Sequence, residues 1–366
     1  MLFNRYNTVI DIGARYVKAV RGRQLGKLKY QVYNYKLVDS PSDTLFKADV
    51  GEDVEIPATF GRSINQLVKE ADCAKDNVLL LFPDYGFLVN MATIPSKASD
   101  EEKHELAKQE IVTLLPSDAN IADWCIEKRA IGDLHANSLV LIAAIRRPNV
   151  LMVGTEVQNR GPNPITIDMG LLNAINIFHD YLVSSENLEK NIGVLNFGHE
   201  ASSLAIYKQG KLTTIHTRMI GAGSELSLLV GGRAFTKRIM EHFKLSEDEA
   251  EEYKKNEVFF LPEFVPEQDK IANYQVIKPI FGELVKGLFT ITEHYVARFR
   301  EFKVDEVILT GGGANFSNID VVLGGHLNTQ VKQGADIVSI VDGAQNELSA
   351  AEKNILTPAL GAFCRD

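Results

Sequence analysis

Two segments far apart in the chain each combine an apolar strand, a polar residue and a glycine turn. They are residues 9–13 (VIDIG) and residues 194–198 (VLNFG). Glycine lets the backbone approach a ligand closely, and consecutive N–H groups in such a turn form a concave site for phosphate oxygens. Asp11, near the end of the first strand, would hold a metal ion beside the polyphosphate, usually through water. The two segments predict similar half-molecules that face each other across a phosphate-binding cleft.

A hairpin is the expected setting of each turn. Residues 202–207 (SSLAIY) run into the plain hairpin turn of residues 208–211 (KQGK). A single Asp-x-Gly is weak evidence, because Asp and Gly occur together in ordinary turns. Two copies, each on a hairpin, strengthen the ligand-binding interpretation.

A third glycine element follows the predicted strand of residues 304–310. This strand ends in Gly311, Gly312 and Gly313. Three residues without side chains at the carboxyl end of a strand let something flat or bulky lie on the backbone. The alternative is an ordinary loop before a helix.

The elements that would position these residues alternate along the chain. In the first half we expect strands through residues 30–37, a helix over 57–71 and a strand over 77–82. Residues 84–161 form a compact unit of their own. Its predicted elements are strand 87–94, helix 100–115, strands 123–130 and 138–145, and helix 148–159.

The second half is predicted to hold longer helices. A helix over 171–182 crosses to the second half, and a strand, glycine turn and helix occupy residues 230–243. Residues 219–229 form a hairpin or a flexible flap, and residues 261–270 form a loop. The remaining predicted helices are 246–255, which begins with a Ser246–Glu249 capping box, 277–299, and 349–363, with a kink or break at Pro358.

These elements, in this order and at these separations, resemble the actin, Hsp70 and sugar-kinase ATPase superfamily. Within it they are most similar to the type IV pilus assembly protein PilM family, a relative of the division protein FtsA. Residues 11–20 (DIGARYVKAV) resemble the family's Asp-Ile-Gly-x-x-x-Val-Lys opening, and residues 308–314 (ILTGGGA) resemble its adenosine loop. Residues 250–254 (AEEYK) resemble the Ala-Glu-x-x-Lys helix after the second phosphate loop.

The resemblance implies an α/β, actin-like ATPase fold. Two ribonuclease H-like lobes would surround a nucleotide cleft, with an inserted subdomain of the FtsA and PilM type. The first lobe would comprise residues 1–83, 162–190 and 350–366, the insertion 84–161, and the second lobe 191–349. Actin and Hsp70 lack an insertion at this place, which favours the pilus and division branch.

The resemblance also implies a site for ATP or ADP with Mg. Backbone N–H groups of residues 14–16 would cradle the β-phosphate, residues 198–202 would hold the γ-phosphate, and Asp11 would hold the metal. Lys18 would supply a charge to the phosphate, although a surface lysine on a hairpin is the alternative. Glu251 and Lys254 would reach the ribose and base. The implied nucleotide-binding set is Asp11, Gly13, Ala14, Arg15, Tyr16, Lys18, Asn196, Gly198, His199, Glu251, Lys254, Gly311, Gly312 and Gly313.

Two residues bear on the chemistry of this cleft. Asp168 sits where the family places a cleft-facing acid, but an Asp before an apolar helix is equally an N-cap candidate. Asn196 replaces the acid of the second loop. An amide binds hard cations weakly and cannot act as a base. We therefore expect a nucleotide-binding scaffold with slow or absent hydrolysis, at most a weak ATPase, and assign no catalytic residue.

Composition agrees with a two-lobed cytoplasmic protein. The 366 residues are 45% hydrophobic and 24% charged, enough for substantial cores. A net charge of -9 argues against nucleic acid as the main ligand. Apolar runs such as residues 139–145 are too short to span a bilayer, and the amino-terminal residues lack a signal-peptide core. The three cysteines predict reduced thiols, and neither Cys nor His shows metal-ligand spacing.

The family resemblance further implies a cytoplasmic adaptor at the inner membrane. It would grip the N-terminal tail of a bitopic, PilN-like partner in a groove beside the insertion, near residues 87–94 and the helix to Leu115. Other platform proteins, or a second copy of the chain, are further candidate partners. No terminal amphipathic helix is predicted, so direct membrane insertion is not expected. A secretion-system adaptor, a filament-forming FtsA- or MreB-like ATPase and a small-molecule kinase remain as alternatives.

Overall fold

The computed structural model of the chain describes residues 7–40, 58–115, 119–134, 136–217, 219–220, 226–227, 229–260, 268–301 and 303–364. The strands are β1 (Thr8–Ile12), β2 (Tyr16–Gly26), β3 (Lys29–Asp39), β4 (Asn77–Phe82), β5 (Phe87–Pro95), β6 (Trp124–Leu134), β7 (Asn137–Arg146), β8 (Asn163–Met169), β9 (Asn191–Phe197), β10 (Ala201–Lys208), β11 (Lys211–His216), β12 (Met219–Ile220), β13 (Leu226–Ser227), β14 (Leu229–Val230), β15 (Glu306–Thr310), β16 (Gln330–Gln333) and β17 (Ser339–Val341).

Eleven helices accompany these strands in the described ranges. They are α1 (Ala58–Ala71), α2 (Asp100–Val112), α3 (Arg147–Gln158), α4 (Gly170–Ile177), α5 (His179–Leu182), α6 (Gly232–Phe243), α7 (Glu247–Asn256), α8 (Gln268–Phe299), α9 (Ile319–Leu327), α10 (Gly334–Ile337) and α11 (Ala350–Gly361).

The first sheet has the strand order β17-β3-β2-β1-β4-β8. Strands β1, β2 and β3 form an antiparallel meander, whereas β1, β4 and β8 run parallel. Every residue of β1 is buried, and only Asn77 of β4 is exposed. Such continuous burial is typical of parallel strands that are covered on both faces.

The second sheet repeats this topology. Its order is β11-β10-β9-β15-β16, with β14 paired to β10. Strands β9, β10 and β11 are antiparallel, and β9, β15 and β16 are parallel. The order and the strand directions therefore match β3-β2-β1-β4-β8. The two glycine segments lie at equivalent places in the two sheets, between the first and second strands of each meander.

A separate three-stranded antiparallel sheet, β5-β7-β6, lies between β4 and β8 in the chain. Strand β5 buries side chains on both of its faces, because successive side chains point to opposite sides of the sheet. Leu88, Ala92 and Ile94 pack with Ala107 and Ile111 of α2. Phe87 and Met91 on the other face join the core that includes the first sheet. The small sheet thus packs against the rest of the molecule through one face of β5.

Most sequence-predicted elements are confirmed, and the differences have physical causes. Helix α2 ends at Val112 rather than at residue 115. The predicted helix 171–182 is two helices, because Phe178 leaves helical geometry at φ -96° and ψ 4° while its ring is fully buried. Residues 219–220 and 226–227 pair as a hairpin, and residues 221–225 lie outside the described residues.

Two predictions involving proline and loops are wrong. Helix α8 starts at Gln268, inside the predicted loop, and continues past Pro279; residues 261–267 of that loop lie outside the described residues. Helix α11 does not break at Pro358 but continues to Gly361. Residues 356–361 of α11 are all buried, so tertiary packing outweighs the local penalty of the proline.

A helix that crosses a membrane must be both long and apolar, and this also applies to the helices of this chain. Over the described ranges, none is both long enough and apolar enough to span a membrane.

Candidate functional site

The two glycine turns have the same local geometry. The Gly13 N–H donates to the Tyr16 carbonyl at 3.1 Å. A Cβ atom on Gly13 would lie 2.8 Å from that carbonyl oxygen, and one on Gly198 would lie 2.6 Å from the Ala201 carbonyl oxygen. Real Cβ contacts are not that short, so glycine is what lets each strand return this tightly. The same three-residue offset in both turns is a structural repeat.

Asp11 and Lys18 face each other across the first hairpin. They are direct partners in the antiparallel register of β1 and β2. Lys18 Nζ lies 2.6 Å from Asp11 Oδ2, and the two side chains are only 12% and 9% exposed. The lysine is therefore not a solvated surface residue. Its seven-residue distance from Asp11 follows from the hairpin register.

Asn196 of the second turn binds a carboxylate that the sequence analysis did not select. Its Nδ2 donates to Asp84 Oδ2 at 3.0 Å, and the Leu171 N–H at the start of α4 donates to Asp84 Oδ1 at 2.7 Å. Burial raises the pKa of Asp84 to about 6; bonds from Leu171 and Asn196 oppose the rise, and the charge of Asp11 adds to it. An acid just after a buried parallel strand was the available sequence signal.

Asp168 does not act as the N-cap of α4. The N-cap position is Met169, and no side chain of that residue caps the helix. Asp168 Oδ1 accepts the Met169 N–H at 2.8 Å, and Oδ2 accepts from Asn173 Nδ2 at 2.8 Å. The N-cap alternative is therefore wrong, and the carboxylate that accepts an N–H from the first turn of α4 is Asp84.

The three glycines after β15 have different surroundings. Gly311 has φ +87°, and a Cβ there would lie 2.6 Å from Asn196 Oδ1. A Cβ on Gly313 would overlap the Phe197 ring at 2.4 Å, whereas one on Gly312 would meet no atom within 4 Å. Packing against the second turn thus accounts for two of the glycines. Only Gly312 has an open face.

A buried polar cluster lies beside the second turn. The N–H groups of Gly232 and Arg233, at the start of α6, donate to the carbonyls of Gly198 and His199 at 2.9 and 2.7 Å. Lys254 Nζ, from α7, contacts Glu251 Oε1 at 2.6 Å and Thr236 Oγ1 at 2.7 Å. Thr236 also donates to Glu251. Helices α6 and α7 therefore bring Glu251 and Lys254 to the turn that carries His199.

Burial sets the charge states in this cluster. It lowers the pKa of His199 to about 4, and the charge of Lys254 adds to the lowering, so the imidazole is neutral at pH 7. Burial also lowers the pKa of Lys254, against the opposing effect of Glu251. Burial disfavours ionised Glu251, but Lys254 and Thr236 outweigh it and keep the pKa of Glu251 below its usual value.

The first turn also reaches α7. Arg15 Nη2 lies 3.5 Å from Asp248 Oδ1, and the Arg15 guanidinium lies 5.5 Å from the centroid of the Tyr16 ring. Ala14 is partly buried against the main core. Arg15 therefore joins the first turn to the start of the helix that carries Glu251 and Lys254.

The predicted site residues consequently form adjoining groups near the two glycine turns. Asp11, Gly13 and Lys18 lie on the first hairpin, and Asn196 and Gly311 lie together on the second sheet. Gly198, His199, Glu251 and Lys254 form the cluster beside the second turn. In the part of the chain that is described, no three His, Cys, Asp or Glu side chains are placed to hold a metal ion by themselves.

A cavity of about 310 Å³ lies between the three-stranded sheet and the second sheet. Its lining comes from residues 87–91 of β5, Leu114, residues 214–217, and residues 290–298 of α8. Phe87, Met91 and Ile291 give it an apolar wall. His216, His294 and Arg298 supply polar groups. Burial lowers the pKa of His216 to about 4, and the charges of His294 and Arg298 add to the lowering.

A family model described as type IV pilus assembly protein PilM matches residues 9–361.

The chain belongs to the PilM family.

Similar chains are found among solved structures. A chain of a PilM-PilN type IV pilus biogenesis complex superposes with a TM-score of 0.77, at 20% identity, over 98% of both chains. The ethanolamine utilization protein EutJ from Carboxydothermus hydrogenoformans has a TM-score of 0.48 at 12% identity, over 100% of this chain and 91% of that chain. MreB 5 of Spiroplasma citri bound to AMPPNP has a TM-score of 0.45 at 13% identity, over 92% of this chain and 93% of that chain. A comparison with curated proteins found no match.

The expected fold is confirmed by the PilM relatives. The chain is a mixed α/β protein with the actin-like fold of the PilM family. It is a type IV pilus assembly protein of this family. The nucleotide-binding residues and the lobe boundaries stay predictions.

Proposed function

We propose that this PilM-family protein is a nucleotide-binding adaptor of a type IV pilus assembly platform or a related secretion platform. It holds ATP or ADP in the cleft between the two sheets. It docks the cytoplasmic N-terminal tail of a PilN-like membrane partner beside the three-stranded sheet. The observation that carries the nucleotide part is the pair of equivalent glycine turns, one beside the buried Asp11–Lys18 pair and one beside Lys254.

The residues at the cleft fit a polyphosphate with a divalent cation. Lys18 and Lys254 place a positive charge near each turn, which suits phosphate oxygens. Asp11 offers hard carboxylate oxygens, the ligand type that Mg²⁺ prefers, and Mg²⁺ usually keeps waters and takes further ligands from the phosphates. Such a cation needs only one or two carboxylates. The bound ion would neutralise phosphate charge, while Lys18 and Asp11 orient the ligand at the first turn.

Hydrolysis in this site is slow or absent. A water-activating base would have to accept a proton, and Asn196 carries an amide whose nitrogen donates to Asp84 at 3.0 Å. His199 is neutral, but its main-chain carbonyl is engaged by Arg233 and its ring is buried beside Lys254. The adaptor role therefore depends on binding nucleotide rather than on turning it over.

The cavity beside β5 suits a short extended segment. Its apolar wall would take aliphatic side chains, and its two histidines and Arg298 would meet polar or acidic groups of the tail. The solved relative with a TM-score of 0.77 belongs to a PilM-PilN complex. Docking through such a partner would bring this adaptor to the inner membrane. A peripheral, cytoplasmic position is part of the same proposal.

Calorimetric titration of Mg-ATP and Mg-ADP into nucleotide-stripped protein tests the cleft. We expect saturable one-to-one binding that weakens at least tenfold in Asp11→Asn. Asp76→Asn is the matched control. It also removes a half-buried carboxylate that pairs with a cation, Arg21, at 2.6 Å, but near the amino end of β4. Absence of nucleotide binding in the wild type would contradict this part of the proposal. Sustained ATP turnover that Asp11→Asn abolishes would contradict slow hydrolysis.

A peptide copying the partner's cytoplasmic N-terminal tail tests the cavity. Val89→Glu places a carboxylate in the lining of the cavity, and we expect it to weaken peptide binding at least tenfold while nucleotide binding is kept. Val321→Glu is the control, since Val321 is 55% exposed on α9, away from the cavity. Equal peptide affinity in wild type and Val89→Glu would place the tail elsewhere.

A further inference from the structure

The cleft has an amide, Asn196, where the second loop of the family carries an acid, and a buried acid, Asp84, lies opposite it. Asn196 stands at the end of β9, where the second loop of the family carries an acid, and it faces Asp84 at 3.0 Å. Asp84 follows β4, the parallel neighbour of β1, and Asp11 pairs with Leu81 of β4. Asp84 and Asp11 therefore both lie toward the carboxyl edge of the first sheet. Their charges are close enough to interact.

Asp84 is buried without a cationic partner in the described part of the chain. It is 7% exposed, and its hydrogen-bond partners are the Leu171 N–H, the Asn196 amide and the Ser203 hydroxyl. An isolated buried carboxylate is costly unless it is paired or binds a metal. An asparagine at this position could keep the bond from the Leu171 N–H at its Oδ1, and its Nδ2 could donate to the Asn196 Oδ1 once that amide is turned over. The fold therefore needs an acceptor for the Leu171 N–H at residue 84 but does not need a negative charge.

A second observation points to a ligand at the same place. Thr310 is fully buried, and within the described residues its Oγ1 has no hydrogen-bond partner. Thr310 is the parallel register partner of Asn196, so the two side chains lie on the same face of the second sheet. Buried hydroxyls without a partner are rare in native proteins. Protein atoms alone leave this polar position incomplete.

We propose that Asp84 supplies, from the first sheet, the carboxylate for the nucleotide's divalent cation that the second turn lacks at Asn196. This inference rests on the nucleotide-binding function proposed above. Asp11 and Asp84 together give two hard carboxylates, and Mg²⁺ is commonly bound by one or two carboxylates, waters and substrate phosphates. Such a site agrees with the finding that, over the described residues, no three ligands cluster. Asn196 then serves as the donor that orients the Asp84 carboxylate.

The test uses three variants: Asp84→Asn, Asn196→Asp and the exchange variant that carries both. Affinity for ADP is measured by calorimetry in Mg²⁺ and in EDTA. We expect Asp84→Asn to reduce the Mg²⁺-dependent gain in affinity at least tenfold, with the affinity in EDTA changed less than twofold. The exchange variant should recover part of the gain, since it returns a carboxylate to the other end of the same hydrogen bond. Glu306→Gln, at the amino end of β15, is the buried-acid control and should leave the gain unchanged.

Two measurements distinguish a loss of folding from a loss of cation binding. Melting temperatures check that Asp84→Asn stays folded, as expected if its amide oxygen keeps the bond from the Leu171 N–H. An equal loss of affinity in Mg²⁺ and in EDTA would show that Asp84 only shapes the cleft and would overturn the inference. An unchanged Mg²⁺-dependent gain would also overturn it while leaving the nucleotide-binding function intact.

A readout without nucleotide keeps the two proposals distinguishable. Binding of Mn²⁺ to nucleotide-free protein is followed by electron paramagnetic resonance, in wild type and in Asp84→Asn. If wild type binds no nucleotide but binds Mn²⁺ that Asp84→Asn loses, the proposed function fails and the cation site stands. Both proposals fail if wild type binds neither nucleotide nor Mn²⁺. They also fail if wild type binds no nucleotide and binds Mn²⁺ no better than Asp84→Asn does.

Discussion

At the scale of single residues, the buried pair of Asp11 and Lys18 makes a prediction about stability and function together. Lys18→Met leaves the Asp11 carboxylate buried without its counter-charge, and breaking such a pair destabilises by about 3–5 kcal/mol. Adding Asp11→Asn removes the uncompensated charge, so the double variant should recover most of that stability. It should not recover nucleotide binding. Urea unfolding and calorimetry measure the two quantities.

Two results would contradict this prediction for Asp11 and Lys18. If Lys18→Met alone unfolds at the same urea concentration as wild type, Asp11 must be neutralised by another group. If the double variant binds Mg-ATP as wild type does, the first hairpin is not the phosphate site. Arg21, the partner of Asp76, offers the control Arg21→Met, which should lose stability without affecting nucleotide.

The lowered pKa of His216 predicts how the stability of the folded protein depends on pH. Its pKa in the folded protein is about 4, because burial and then His294 and Arg298 disfavour its charged form. Between about pH 6.5 and 4, the unfolded chain binds a proton at this residue that the folded chain does not. Stability should therefore fall as pH falls through this window, by at most about 1.4 kcal/mol per pH unit.

His216→Gln removes that dependence while keeping a polar side chain. Urea unfolding at pH 7 and at pH 5 should show a smaller difference for His216→Gln than for wild type. His104→Gln, on α2 outside the cavity lining, is the control and should keep the wild-type difference. Identical pH dependence in wild type and His216→Gln would contradict a buried, neutral imidazole.

At the scale of elements, the crossing of α4 and α11 depends on one glycine. A Cβ on Gly361 would lie 1.7 Å from the Asn173 carbonyl oxygen. Gly361→Ala should force the helices apart, and overpacking of this kind costs about 1–3 kcal/mol or more. Gly282→Ala in α8 is the matched control, because no atom lies within 4 Å of the added carbon. It should be neutral or stabilise by about 0.5–1 kcal/mol.

Thermal unfolding of the two glycine variants gives the comparison. A melting temperature below that of wild type for Gly361→Ala, with one above it for Gly282→Ala, would support the close crossing of α4 and α11. Equal melting temperatures would mean that α4 and α11 can separate freely. Since the first turn of α4 donates the Leu171 N–H to Asp84, we also expect Gly361→Ala to alter the cation dependence of nucleotide binding.

At the scale of the whole molecule, two polar contacts join the regions of the two glycine turns at different depths. Asp84–Asn196 lies deep, and Arg15–Asp248 lies at an exposed edge. If nucleotide favours one arrangement of the sheets, it should shift tail-peptide affinity, and the peptide should shift nucleotide affinity by the same factor. Arg15→Ala should reduce that factor, whereas its stability should change by less than about 1 kcal/mol, as for an exposed ion pair.

Coupling is measured as the ratio of peptide affinities with and without Mg-ADP, in wild type and Arg15→Ala. Lys255→Ala is the control, because Lys255 forms its ion pair with Glu252 on the exposed face of the same helix, α7. A ratio near one in wild type would mean that nucleotide and partner bind independently.

The sequence by itself determined the local features of this protein. The glycine turns, the hairpins around them and the Ser246–Glu249 capping box follow from residue type and short-range geometry. The pairing of Lys18 with Asp11 follows as well, because a tight hairpin fixes which residues are opposite. The order of the three glycine elements was sufficient to indicate the actin-like fold of the PilM family.

Only the tertiary structure decided the contacts made over long distances. Asp84 and Asn196 are 112 positions apart and meet because β4 and β9 end at the same cleft. Gly313 is glycine because Phe197 packs on it, which no neighbouring residue reveals. Helix α11 continues through Pro358 because the surrounding core buries it. Local patterns specify turns and periodicity, whereas these positions depend on which surfaces pack together once the two sheets are assembled.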